Sequence, residues 1–178
     1  MLRLLSPLLL ASTAVSTNFQ WERVQLTEEE TVGNADIAFG YSSNNASLSR
    51  KDRCKIGPGD DGWPTVAEWA RFNSALGGVL LKPAPIAASC YAAAKQSFNP
   101  SVCATLLNAT TRSRAFLDDP LNVLTEWPTG NTCPPTASGI GVCDQGGFPT
   151  YVVNATTVRH IQLAINFARN RNLRLVIK

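Results

Sequence analysis

The C-terminal segment, residues 149–178, constrains the fold more than any other part of the chain. Residues 151–153 form a short apolar run that is typical of a strand, and the polar residues 154–157 end it and can cap a helix. Three- and four-residue steps then predict an amphipathic helix whose buried stripe is Val158, Ile161, Ile165 and Ala168. Residues 173–177 predict a second, buried strand. The segment therefore predicts a β-α-β unit.

Two sequence anchors carry a resemblance to a known family. One is Cys54-Lys-Ile-Gly-Pro-Gly-Asp-Asp-Gly-Trp-Pro64, followed by a helix that contains Trp69, and the other is the C-terminal segment ending in Leu-Arg-Leu-Val-Ile-Lys178. Both resemble the fungal FAD-linked oxidases, the berberine-bridge-enzyme-like flavoproteins. In that family the opening reads Cys-Lys-Cys-x-Pro-Gly-Asp-x-Cys-Trp-Pro, and the strand leads directly into Asn-Thr-Gly-His-Asp. The resemblance covers residues 54–178 and is weak between the anchors.

The expected fold class is α+β: the N-terminal part of a PCMH-type FAD-binding domain, ending in one β-α-β unit, with disulfide-stapled loops. Residues 54–148 would form a cysteine-containing N-terminal region, and residues 149–178 the start of the FAD-binding domain. The resemblance implies that the loop after Lys178 wraps the FAD pyrophosphate and carries the histidine bonded to the flavin. We therefore expect FAD in intact relatives and none bound by this chain. An ending in mid-motif fits a truncated gene or an incomplete gene model.

The N-terminus predicts import into the secretory pathway and an extracellular or secretory location. Arg3 supplies a positive charge, residues 4–10 form an apolar run, and Ala14-Val15-Ser16 is a small-residue cleavage site. The apolar run is far shorter than the roughly 20 residues that span a bilayer. We expect a signal peptide at residues 1–16, no membrane attachment after its cleavage, and an extended or disordered leader at residues 17–53.

Five cysteines in a secreted chain predict disulfides with one cysteine left over. Cys90 with Cys103 and Cys133 with Cys143 are plausible local bridges, although the sequence leaves the connectivity open. The resemblance implies that Cys54 has lost its partner, because Ile56 and Gly62 stand where the family has further cysteines.

Three Asn-x-Ser/Thr triplets are candidate glycosylation sites, at Asn45, Asn108 and Asn154. Following a signal peptide, each triplet is a credible glycan acceptor on a surface loop. Asn154 also has a plain structural interpretation, as the turn residue between strand and helix.

Four further elements can be predicted upstream. Thr65-Val-Ala-Glu68 is a capping box that begins a helix with an apolar face, and Gly77-Gly78 ends that helix. The predicted buried positions of this helix are Val66, Trp69, Ala70 and Leu76. Residues 79–82 predict a strand, residues 101–108 and 112–117 predict helices, and residues 127–147 predict a stapled loop.

No residue of the chain itself is predicted to be catalytic, cofactor-binding or metal-binding. His160, the single histidine, lies off the predicted apolar stripe, so we expect it at the surface. It precedes the second strand, so we do not expect it to be the flavin-linked histidine. Asp60-Asp61 and Asp118-Asp119 flank Gly or Pro and predict turns. The cysteine spacings do not match a metal site, and a scattered net charge of +3 gives no support to a nucleic-acid partner.

These features predict a truncated, inactive FAD-linked oxidoreductase of a fungal secondary-metabolite pathway, with alkaloid assembly among the options. The resemblance implies that intact relatives oxidise an alcohol or amine-bearing small-molecule substrate through the flavin, with oxygen as the acceptor. The alternative is a small secreted binding protein that is stapled by disulfides and has no catalytic function.

Overall fold

The computed structural model describes residues 19–39, 54–94, 97–109 and 130–177 of the 178-residue chain. Four α-helices and two short strands lie in these ranges, together with 3-10 helices at Gln20–Arg23 and Ile86–Cys90. In chain order the elements are α1 (Glu28–Thr31), α2 (Val66–Ala75), β1 (Leu80–Leu81), α3 (Pro100–Ala109), β2 (Val152–Val153) and α4 (Val158–Asn170). Helices with one small sheet agree with the predicted α+β class.

Helix α2 begins and ends where the sequence predicts. The Thr65 hydroxyl accepts a hydrogen bond from the Glu68 backbone N–H (3.3 Å), and the Glu68 carboxylate accepts one from the Thr65 N–H (2.7 Å). At the other end, Gly77 and Gly78 have φ of 70° and 90°, in the left-handed region that favours glycine. The capping box and the glycine stop are therefore confirmed.

The buried face of α2 differs from the predicted one. Val66 and Ala70 are exposed, and the buried positions are Trp69, Phe72 and Leu76. These three positions follow the helical repeat as i, i+3 and i+7. Trp69 and Leu76 are therefore confirmed as buried positions, while Val66 and Ala70 are wrong because the prediction left out Phe72.

Strands β1 and β2 pair antiparallel, with Leu80 opposite Val153 and Leu81 opposite Val152. The Asn154 N–H extends the ladder by donating to the Val79 carbonyl at 3.0 Å. Both strands were predicted, but their pairing joins two segments that lie far apart in sequence. Among the described residues, β2 therefore pairs with an upstream strand and not with a following parallel strand.

Helix α4 forms as predicted but turns a different face to the core. Its buried residues are Leu163, Asn166, Phe167 and Ala168. Of the predicted stripe, Ala168 is buried and Val158 partly buried, whereas Ile161 and Ile165 are 40% and 42% exposed. The helix carries two apolar stripes, and the one containing Phe167 buries more aromatic surface against α2.

The first hydrophobic core lies between α2 and α4. Phe167 stacks on Phe72, with ring centroids 4.0 Å apart, and Trp69 stacks on Tyr151 at 3.9 Å. Buried residues of this core come from the N-terminal segment, α2, α4 and the residues that follow α4: Leu26, Ile37, Trp69, Phe72, Leu76, Leu163, Phe167, Ala168 and Leu173. The two ends of the described chain therefore share one core.

Residues 173–177 do not form the predicted buried strand. Only Leu173 is buried, and it forms a single parallel bridge with Ile56, whose N–H donates to the Asn172 carbonyl at 3.0 Å. Leu175, Val176 and Ile177 are exposed. A strand needs a neighbour for its backbone groups, and among the described residues only Ile56 supplies one here.

Over residues 19–39 the N-terminal segment differs from the predicted extended or disordered leader, because it contains short helices and buried residues. Thr27 and Glu30 form a capping box at α1, and Leu26 and Ile37 are buried in the first core. The Asn166 side chain in α4 donates to the Ile37 carbonyl at 3.0 Å. Long-range contacts of this kind order a segment that has no periodic pattern of its own.

A second hydrophobic core surrounds two disulfides. The structure pairs Cys90 with Cys103 and Cys133 with Cys143. The Tyr91 hydroxyl donates to the Pro134 carbonyl at 2.6 Å, which ties the 3-10 helix to the loop that follows residue 130. Residues 130–147 contain no helix or strand, in agreement with the predicted stapled loop. Other buried members of this core are Ala87, Ala88, Leu106 and Phe148.

Several predicted features lie outside the described residues: the signal peptide, Asn45, the helix at 112–117, Asp118-Asp119 and residues 127–129. None of the helices in the described ranges is both long and apolar enough to cross a bilayer.

Candidate functional site

Four charged side chains converge where the N-terminal segment meets α2 and the end of α4. Asp36 is only 7% exposed, and both of its carboxylate oxygens contact arginine: Oδ2 accepts from Arg71 Nη2 at 3.3 Å, and Oδ1 accepts from Arg171 Nη2. Arg171 Nη2 also donates to Glu68 Oε1. We call Asp36, Glu68, Arg71 and Arg171 the charged cluster.

Helix geometry explains why two members of the charged cluster lie side by side. Glu68 and Arg71 are three residues apart in α2 and therefore lie on one side of the helix. Arg171 caps the end of α4, where its N–H donates to the Phe167 carbonyl at 3.0 Å. Asp36 arrives from the N-terminal segment, which Asn170 holds by donating to the carbonyls of Ala35, Asp36 and Ala38.

The Glu68 carboxylate of the charged cluster has a lowered pKa. Hydrogen bonds from the backbone N–H and hydroxyl of Thr65, together with the charge of Arg171, lower the pKa of Glu68 from its ordinary value of 4.5. A carboxylate with a lowered pKa and occupied lone pairs is a poor general base at neutral pH. The contacts of Glu68 with Thr65 and Arg171 therefore join the start of α2 to the end of α4.

A cleft of about 650 Å³ lies beside the charged cluster. It is wide open to solvent and is lined by residues 33–36, by Arg71, Ser74 and Ala75 of α2, and by Arg171. Its two arginines are already neutralised by Asp36 and Glu68. An anionic ligand in this cleft would therefore also meet the carboxylate of Asp36.

Removing the central carboxylate should cost stability. We expect Asp36→Asn to lower the free energy of unfolding by about 2–3 kcal/mol, because Arg71 and Arg171 lose their shared partner at a buried position but stay in contact with water. Urea denaturation of the full chain measures the loss. The exposed Asp61→Asn variant is the control and should stay within about 0.5 kcal/mol of the parent. Equal midpoints for the two variants would contradict the role given to Asp36.

The loop between β2 and α4 is the second place where functional groups gather. The Thr157 hydroxyl accepts from the His160 N–H at 3.2 Å, and His160 Nδ1 accepts from the Thr156 N–H, also at 3.2 Å. The sequence predicts that His160 points mostly toward solvent. In the structure His160 is half-buried against this loop. His160 is therefore part of the helix cap.

This loop does not fit an FAD pyrophosphate. A pyrophosphate cradle needs free backbone N–H groups at a helix start and glycines that let the phosphate approach. Residues 154–157 contain no glycine, the Thr157 hydroxyl occupies the His160 N–H in the first turn of α4, and His160 Nδ1 occupies the Thr156 N–H in the loop. Residues 154–157 therefore lack the features of a glycine-rich pyrophosphate cradle.

The remaining predicted positions are placed as follows. Asn108 lies exposed in the last turn of α3, and Asn154 lies exposed in the loop after β2. Cys54 is free and exposed, and its carbonyl accepts from the Asn172 side chain at 2.8 Å. Asp60 accepts from the Gly57 N–H at 2.8 Å, the turn role that its sequence context predicts. Among the described residues, no three His, Cys, Asp or Glu side chains converge to hold a metal ion.

Sequence reasoning missed the charged cluster. Only the Glu68 and Arg71 spacing within α2 could have indicated it. Asp36 lies in a segment without periodicity, and its contact with Arg171 joins residues 135 positions apart. No local pattern reports a contact over that distance.

Comparisons with known proteins place this fold in a family. The chain is 37% identical over 137 residues to "FAD-linked oxidoreductase apf9" of Gibberella fujikuroi, which covers 76% of this chain and 22% of that protein. It is 30% identical over 145 residues to "VAO-type flavoprotein oxidase VAO615" of Thermothelomyces thermophilus, covering 81% of this chain and 25% of that protein. No family model matches the chain.

A solved structure agrees with these relatives. The crystal structure of the VAO-type flavoprotein MtVAO615 from Myceliophthora thermophila C1 matches with a TM-score of 0.64 and 32% identity, over 70% of this chain and 23% of that one. The aligned region thus shares both sequence and fold with flavoproteins of the VAO type. The chain belongs to the FAD-linked oxidoreductases, and it spans about a quarter of the length of these relatives.

Proposed function

We propose that the chain is part of an FAD-linked oxidoreductase of a fungal secondary-metabolite pathway, and that its described residues form scaffold and not the flavin site. In the intact form the flavin would oxidise an alcohol or amine-bearing small molecule, with oxygen as the acceptor. The observation that carries the proposal is the shared sequence and fold over about 70% of the chain with a VAO-type flavoprotein.

The assignment of a scaffold role follows from the chemistry of the described residues. At the β2–α4 loop the Thr157 hydroxyl accepts from the His160 N–H, and in the charged cluster Arg71 and Arg171 contact the carboxylates of Asp36 and Glu68. A flavin supplies the redox chemistry itself, so the protein must contribute donors that hold and orient it. Those donors would come from parts of the intact protein other than the described residues.

Residues 1–16 support a secretory location for the protein. We place it in the secretory pathway or outside the cell, with no nucleic-acid partner and no membrane anchor after removal of residues 1–16. A small disulfide-stapled binding protein remains the alternative function, but the relatives are oxidoreductases and do not favour it.

Flavin binding tests the proposal directly. The purified 178-residue chain is mixed with excess FAD and passed over a gel-filtration column, and the flavin absorbance of the protein peak is measured. We expect the flavin to elute apart from this chain, while the apf9 relative, treated identically, retains it. A stoichiometric flavin band on the 178-residue chain would contradict the scaffold role.

A second experiment distinguishes failure of the scaffold role from failure of the oxidoreductase function. The transcript is sequenced through the codon for Lys178, and any in-frame continuation is expressed together with residues 1–178. We expect such an extended protein to bind FAD. An extended protein that contains the full length of the relatives and still binds no flavin would contradict the oxidoreductase function itself.

A further inference from the structure

The triplet Asn154-Ala155-Thr156 occupies a position that suits covalent modification. All three residues are exposed in the loop between β2 and α4. The Asn154 backbone is anchored, because its N–H donates to the Val79 carbonyl at 3.0 Å. Among the described residues, no group hydrogen-bonds to the carboxamide of Asn154. The side chain is therefore available while the backbone beneath it stays fixed.

We propose that Asn154 carries an N-linked glycan and is modified in preference to Asn108. In the transfer step, Asn154 Nδ2 bonds to the anomeric carbon of a lipid-linked oligosaccharide pyrophosphate. The bond between that carbon and the pyrophosphate oxygen breaks, the amide loses one proton, and the lipid pyrophosphate leaves. No electrons change hands, so the step needs no oxidant or reductant.

The surroundings of Asn154 leave room for a bulky group. Ala155, Thr156 and Thr157 are exposed and have small side chains. Strand β2 ends at Val153 and α4 begins at Val158, so the triplet lies wholly in irregular backbone. Glycan acceptors are typical of surface loops, where the enzyme can reach the chain and the glycan disturbs no packing.

Asn108 is less suitable because of its place in α3. It lies in the last turn of a helix whose other side is buried through Leu106 and through Cys103, which is bridged to Cys90. An acceptor at this position is held in helical backbone once α3 has formed. Asn154 keeps an open, non-helical geometry in the folded chain and so stays accessible for longer.

Glycosylation at Asn154 depends on import into the secretory pathway, which residues 1–16 predict. The full chain, with its own N-terminus, is expressed in a yeast host, and total cell and medium protein is reduced and digested with trypsin. Cleavage at lysine and arginine places Asn45, Asn108 and Asn154 on three different peptides. Enzymatic removal of N-glycans in ¹⁸O-water then labels each modified asparagine. Detection uses denatured peptides, so it does not require the variants to fold.

We expect the peptide of Asn154 to carry the ¹⁸O label in a larger fraction of molecules than the peptide of Asn108. Thr156→Ala should abolish the label at Asn154, whereas Thr156→Ser, which preserves the acceptor triplet, should retain it. A chain lacking residues 1–16 should be unlabelled. An unlabelled Asn154 in the full chain, or a label at Asn108 exceeding that at Asn154, would overturn the proposal.

Discussion

Phe167→Ala is expected to lower the free energy of unfolding by about 3–5 kcal/mol, the loss typical of an aromatic residue removed from a core. Phe167 is 2% exposed, and its ring contacts both Phe72 and Trp69, with centroids 4.0 Å and 5.0 Å away. The substitution leaves a cavity between α2 and α4 and removes two aromatic contacts. Urea denaturation followed by circular dichroism measures the change.

Phe98→Ala is the matched control, since it removes the same ring from a position that is 44% exposed. We expect this variant to lose less than about 1 kcal/mol, as is usual for surface substitutions. Similar midpoints for the two variants would show that α2 and α4 do not pack through Phe167. Because the stack joins the two helices, the Phe167 variant should also lose near-ultraviolet signal from Trp69.

The double variant Cys90→Ala/Cys103→Ala is expected to be less stable than the parent by about 3 kcal/mol. The bridge closes a loop with a sequence separation of 13, and in the loop-entropy account such a constraint disfavours the unfolded chain by about that amount. Both cysteines are buried beside Ala88 and Leu106, so the alanines also lose packing. Thermal unfolding under non-reducing conditions measures the effect.

Cys54→Ser provides the control for thiol chemistry. Cys54 is free and exposed, so its replacement should leave the melting temperature unchanged and should remove disulfide-linked dimers from non-reducing gels. If the double variant melts together with the parent, the second core does not depend on its disulfide. If Cys54→Ser alone destabilises the chain, Cys54 has a partner in solution.

Local chemistry was predictable from the sequence. The Thr65 and Glu68 cap, the Gly77 and Gly78 stop, and the start of α4 depend on residues within four positions of each other. The two cysteine pairs could also be proposed from the sequence as local bridges, because each pair is close in sequence and a short loop closes at low entropic cost.

Buried faces and long-range contacts were not predictable in the same way. Helix α4 carries two apolar stripes, and the one that contains Phe167 packs against Phe72 and Trp69 of α2, while Ile161 and Ile165 stay exposed. Asp36 gains its partners from α2 and from the end of α4. Such choices depend on which surfaces meet in three dimensions, and tertiary context then overrides the local pattern.

The shared core of the two chain ends sets an order of events during synthesis. Leu26 and Ile37 leave the ribosome early, but their partners Leu163, Phe167 and Leu173 are made near residue 178. The second core is complete once Phe148 has emerged, and its disulfides close short loops. Domains fold as their residues become available, and distant pairings form slowly. The second core should therefore fold first. Leu26 and Ile37 stay exposed until their partners are synthesised, and a chaperone can bind this apolar surface in the meantime.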